Sequence, residues 1–112
     1  MDPKKLIELF NEYTAQKEAM SLRHLEHIKE LKSKDVHEAK VHAAKYRIII
    51  NVINDDFLNN AASKAGVDLN FEHIRENETP ITLREAIIKN SLPLLDQTIL
   101  NNFDINFNKL FN

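Results

Sequence analysis

The chain has 112 residues, enough for one domain with one modest core, and its ordinary share of apolar residues argues against wholesale disorder. It contains no cysteine, which excludes disulfides, thiolate metal sites and cysteine nucleophiles. A net charge of −2 marks no general polyanion binder, and with one glycine and three prolines the composition favours long helices over a turn-rich β fold.

The chain opens on Asp2-Pro3, an N-cap followed by proline at the first helical position, where its missing N–H costs nothing. Helical periodicity then predicts a first helix over about 3–32. Its stripe is Leu6, Phe10, Tyr13, Lys17, Met20, His24, Ile28 and Leu31. Lys17 interrupts an otherwise largely apolar row, which suits a side chain that snorkels outward or a point where packed helices splay. The segment Ser33–Glu38 breaks the rhythm. Asp35 with Glu38 has capping-box spacing, with Ser33 as the rival cap.

A second stripe follows: Val36, Ala39, Ala43, Tyr46, Ile50, Ile53, Phe57 and Ala61. It predicts a helix over about 35–65, ended by Gly66 in the left-handed conformation. Each helix would be roughly 45 Å long. So short a turn makes the two antiparallel neighbours. With Leu31 opposite Val36, Ile28 faces Ala39, His24 faces Ala43, Met20 lies near Tyr46, Phe10 faces Phe57 and Leu6 faces Ala61. Two independent stripes thus agree on one register.

Both helices also carry apolar residues off this seam. Ala15, Ala19, Leu22 and Leu25 lie on the first, and Ile48, Ile49 and Val52 on the second. Two helices cannot bury both sets, so the C-terminal third, a second copy or another protein must cover them.

Beyond Gly66, Thr82 to Glu85 forms a capping box led in by Pro80, predicting a short helix over about 83–89. Another runs from near Ser91 to about Asn101, with Pro93 tolerated in its first turn. An aromatic, Asn-rich tail ends the chain. One pattern occurs twice, as Val67-Asp68-Leu69-Asn70-Phe71 and as Phe103-Asp104-Ile105-Asn106-Phe107. Its alternation permits a small two-stranded ribbon, within the chain or between copies. The competing readings are that the Asp and Asn residues serve only as local caps, or that the repeat is coincidence in an Asn- and Asp-rich chain. In each version Leu69, Phe71, Phe103, Ile105 and Phe107 help to cover the surplus apolar surface.

The predicted fold is therefore all-α: one domain over 1–112, with a hairpin over 1–66 and a covering segment over 67–112. The N-terminus lacks the apolar core of a signal peptide, and the apolar run Ile48–Ile53 is too short to cross a bilayer. These features suit a cytoplasmic protein with no membrane partner.

Catalytic signatures are missing. A single glycine permits no phosphate-cradling loop, and none of the serines carries a nucleophile motif. His24 and His27 on one helix and Glu38 and His42 on the other lie at similar height, but the Glu-x-x-His and His-Glu-x-x-His spacings of helical metal centres are absent. The chain is read as a non-enzyme without cofactor or metal. Clustered histidines still imply a gain of positive charge below about pH 6.5.

The favoured function is protein–protein interaction by a small bacterial or phage regulator, adaptor or assembly factor that self-associates as a homodimer, consistent with its Asn-, Ile- and Lys-rich composition. The partner-binding candidates are Leu22, Leu25, Ile48, Ile49 and Val52, with Phe103, Phe107, Leu110 and Phe111 of the tail. The alternative is nucleic-acid association. Between Arg23 and Arg47 seven Lys/Arg stand against four Asp/Glu. With Arg23, the phosphate-contacting candidates are Lys29, Lys32, Lys34, Lys40, Lys45 and Arg47.

Overall fold

A computed structural model describes residues 2–52, 54–74 and 79–111. The molecule is a rod of 54 × 27 × 19 Å. Its elements are α1 (Pro3–Lys34), α2 (Val36–Asn51), α3 (Asp55–Ala65), β1 (Glu72–His73), β2 (Ile81–Thr82), α4 (Leu83–Asn90) and α5 (Leu92–Phe111). The fold is all-α, with a long antiparallel hairpin and a minor ribbon.

Local chemistry sets the helix ends. The Asp2 carboxylate accepts from the Lys4 amide at 3.0 Å. Asp35 closes α1 through its own N–H to the Leu31 carbonyl, and its side chain accepts from the first amides of α2, those of His37 and Glu38. Gly66 ends α3 at φ +67°, as a helix C-terminus prefers. Thr82 caps α4 by accepting from the Glu85 amide at 3.2 Å.

The second arm of the hairpin is not one helix. It stops at Asn51 and restarts at Asp55, where Asn54 accepts from the Phe57 amide at 3.1 Å. Ile53, assigned to the seam by periodicity, lies outside the described residues. The break changes the register. Before it, the Lys17 ammonium meets the Ile50 carbonyl, as the hairpin alignment requires. After it, Gln16 bonds Asn60 and Glu12 pairs with Lys64, so α3 is set back along α1 relative to a continuous helix.

Two apolar clusters fill the rod. Leu9, Tyr13, Leu58, Ala61, Ala62, Leu83, Ile87 and Leu92 pack at the end away from the hairpin turn. Met20, Ile28, Ala39, Ala43, Ile50, Ile99, Leu100 and Phe103 pack toward the turn. Phe57 touches both. Small Ala39 and Ala43 lie opposite α1, which lets the helices approach closely.

α5 continues ten residues past Asn101 to Phe111, so the aromatic tail is helical. Ile99, Phe103, Phe107 and Leu110 recur on one face and dock in the turn-end cluster. This tertiary packing overrides the low helix propensity of Asn101, Asn102, Asn106 and Asn108. The repeated pentads therefore do not pair. The second lies inside α5, and the ribbon joins Glu72 to Thr82 and His73 to Ile81. In the first pentad, Asp68 accepts from the Asn70 amide at 2.9 Å, a local turn device. Leu69 and Phe103 are buried and Phe107 is half-buried, but Phe71 and Ile105 stay about half exposed and join neither core cluster.

Candidate functional site

Lys17 shows what a polar residue in an apolar stripe can do. It neither snorkels nor splays the helices: its exposure is 0%. Its ammonium donates to the carbonyls of Ile50 at 2.9 Å and Val52 at 2.7 Å, and to Asp96 Oδ1 of α5 at 3.0 Å. The three donors of an ammonium are thus all used. Tyr13 donates its hydroxyl to the same Asp96 oxygen at 3.1 Å. This knot lies between the two apolar clusters and caps the C-terminus of α2, where a cation suits unpaired carbonyls and the helix dipole. Burial lowers the pKa of Lys17, and the bond to Asp96 opposes that shift. Burial first, and then the Asp96 charge, raises the pKa of the Tyr13 phenol. With every Lys17 donor engaged and the group sealed from solvent, the knot holds the helix break rather than presenting a reactive amine.

Three of the five histidines gather around Tyr46. His24 stacks on its ring with centroids 4.0 Å apart, His27 Nδ1 hydrogen-bonds its hydroxyl, and His42 meets His27 edge-on at 5.5 Å. His42 also lies 3.4 Å from Glu38. Burial lowers the pKa of His24, helped by the charges of Arg23 and His27, and its Nε2 is buried without a partner. Among the described residues, no three His, Asp or Glu side chains are placed to hold a metal ion.

The surface is where α2 is unusual. Ala39, Ala43 and Ile50 are buried on one side. On the opposite side Val41 and Ile48 point outward, Ile48 being 68% exposed, and the C-cap residue Val52 just beyond the helix is 57% exposed. Ile49 is exposed beside them. Val41 was not among the sequence candidates, although it lies seven residues, two helical turns, before Ile48 on the same face.

Leu22 is exposed, and Leu25 packs partly against the turn-end cluster. Together they line a groove of about 370 Å³ between α1 and α5, with Ile105, Asn106 and Lys109 opposite. Phe103 is a correction. It is 1% exposed and forms core, because the helical tail turns it inward, so it is no partner contact in this fold. Phe107, Leu110 and Phe111 are half-buried on the same core.

The basic residues do not form one stripe. Lys29 borders the α1–α5 groove, whereas Lys40 and Arg47 line a groove of about 670 Å³ between α2 and α5. Lys45 lies across the outward stripe from them. Lys32 donates to the Leu110 carbonyl and sits 5.4 Å from the Phe111 ring, with Lys40 at 5.6 Å from that ring. Arg47 pairs with Asp104 at 3.1 Å. Lys34 ends α1 at the turn. Among the described residues, no helix is long and apolar enough to cross a membrane. No known protein family, curated protein or solved structure matches the chain.

Proposed function

We propose that this chain is a non-catalytic protein-interaction module that docks another helix on the outward face of α2. In this reading it acts in the cytoplasm as a small bacterial or phage regulator, adaptor or assembly factor. One observation carries the reading. α2 is apolar on two opposite sides, one already buried in the hairpin and the other, Val41 and Ile48, left in solvent, with Val52 exposed at its C-cap. A helix that only completes a core has no need of a second apolar side, and single exposed residues are ordinary where an aligned row is not. A second copy docking there would complete a four-helix bundle.

Ile48→Glu and Val52→Glu test the proposal. Folding should survive, with far-UV circular dichroism and denaturant midpoint nearly unchanged, since exposed substitutions shift stability by only about 0.5 kcal/mol. Association, read by size-exclusion chromatography with light scattering and by partner capture, should be lost. Outright unfolding would make these residues core and refute the docking face.

The second reading, contact with nucleic acid, has the positive charge of the hairpin end in its favour. Its spread over three sides of the rod counts against it. It requires steeply salt-dependent binding to DNA or RNA that vanishes when Lys32, Lys34 and Lys40 become Glu.

A further inference from the structure

The side of α1 that borders α5 carries a short motif that is symmetric in spacing and opposite in charge. Glu18, Leu22, Leu25 and Lys29 follow one another at steps of four, three and four residues, so they share one stripe of the helix. Leu22 is 59% exposed, Glu18 and Lys29 are exposed, and Leu25 is half-buried. The two leucines line adjoining grooves of about 370 and 480 Å³ between α1 and α5. Glu18 borders the first groove, Lys29 the second, and Lys109 of α5 both. α5 runs parallel to α1, since Asp96 meets Lys17 near one end and the Leu110 carbonyl meets Lys32 near the other. Lys109 therefore stands level with Lys29, and together they outweigh Glu26, the other charge on the second groove. Among the described residues, Glu18, Lys29 and Lys109 form no ion pair within the chain. The strip is acidic at one end and basic at the other. Its centre is apolar, and there Ile105 of α5 adds a half-exposed side chain.

An antiparallel copy of this strip meets each position with its complement. Glu18 of one copy falls opposite Lys29 of the other, and Leu22 opposite Leu25. The two-fold axis passes midway between the leucines, so every contact occurs twice, as a closed dimer requires. A parallel alignment would set Glu18 against Glu18 and Lys29 against Lys29, and like charges across an interface select against it. We propose that a second copy of this chain packs antiparallel across the α1–α5 groove, with Leu22 and Leu25 of each copy at the centre. The surface shares no residue with the outward face of α2. The inference thus goes beyond the reading of α2 as a docking face, and whatever α2 binds is added to this pair.

The test uses the full chain carrying Ile48→Glu, which removes association through α2. Light scattering after size exclusion gives its mass, and sedimentation equilibrium gives its dimer dissociation constant, at low and at physiological salt. This chain should be a dimer, and adding Leu22→Glu should make it monomeric. Adding Glu18→Lys alone, or Lys29→Glu alone, sets like charges opposite each other. Each should weaken dimerisation about tenfold at low salt, with the gap narrowing as salt rises. Both substitutions in one chain, or a mixture of the two single variants, put opposite charges back in register and should restore pairing. The circular dichroism spectrum should stay unchanged throughout.

An Ile48→Glu chain that remains monomeric at about 0.1 mM overturns the proposal, and if partner capture is lost with it the α2 face stands alone. A dimer indifferent to Leu22→Glu and to both charge reversals also overturns it, because the pairing then lies elsewhere. So does a dimer that Leu22→Glu dissociates but whose mixed charge variants pair no better than either alone, because the antiparallel register is then wrong. Glu18 and Lys29 are exposed, so the charge variants decide the question even if Leu22→Glu does not fold. A dimer that depends on Leu22, with partner capture undisturbed by Ile48→Glu, supports the pair and refutes the α2 docking face.

Discussion

Replacing Lys17 or Asp96 alone should be among the most damaging single changes available to this chain. Lys17→Met leaves the Asp96 carboxylate buried with Tyr13 as its remaining side-chain donor, and removes the donor from the carbonyls of Ile50 and Val52. Asp96→Leu leaves the ammonium buried on two carbonyls without a counter-charge. Stripping one partner from a buried ion pair costs about 3–5 kcal/mol, against a total stability of about 5–15 kcal/mol for a domain of this kind. The double substitution removes both charges. What remains is chiefly the unsatisfied Ile50 and Val52 carbonyls and the Tyr13 hydroxyl, at about 1–3 kcal/mol for each group left without a partner. The double variant should therefore be less damaged than the sum of the singles, by about 2 kcal/mol of coupling at the middle of these ranges. Urea unfolding followed at 222 nm reads the cycle, and Asp96→Asn serves as a milder single if Asp96→Leu does not fold. A Lys17→Met cost below about 1 kcal/mol, or additivity within about 0.5 kcal/mol, would refute the account of a sealed knot.

Two further outcomes follow from local geometry. The folded state lowers the pKa of His24, so the unfolded chain binds the proton more tightly. His24 therefore contributes stability that is complete above the ordinary histidine value, about 6.5, and is lost as pH falls from there through the lower folded value. Denaturation midpoints of wild type and His24→Phe, which keeps a ring against Tyr46, should diverge from their neutral-pH difference as pH drops toward 5. Parallel curves would show that His24 is not the group responsible. Gly66→Ala should cost about 1–2 kcal/mol, because the residue sits at φ +67° while the nearest group to an added Cβ, the Lys5 ammonium, would be an ordinary 3.9 Å away. A variant as stable as wild type in thermal unfolding would mean that the backbone there relaxes out of the left-handed region.

What local chemistry governs was legible in the chain. Asp2-Pro3, Asp35, Gly66 and the Thr82–Glu85 box mark helix ends because each supplies or spares a hydrogen bond within a few residues. The two stripes predict the hairpin because burial on one side imposes helical spacing. The exposed Leu22, Ile48, Ile49 and Val52 could likewise be named from their surplus over that seam. A local sign of the helix break was present too: Asn54-Asp55-Asp56 is a capping residue followed by acidic residues in a first turn, set inside an unbroken apolar rhythm.

Other features depend on residues far apart in the chain. The break is held by Lys17, and Lys17 is tolerable there only because Asp96 arrives from α5, 79 residues away. The Asn-rich tail is helical because the clustered core rewards Phe103 and Phe107 for turning inward, and the same packing removes Phe103 from the surface. Periodicity assigns a residue to a side of its own helix. Which sides become interior depends on which helices meet, and here only the docking of α5 against α1 and α2 decides that Phe103 is core while Val41, Ile48 and Val52 remain in solvent.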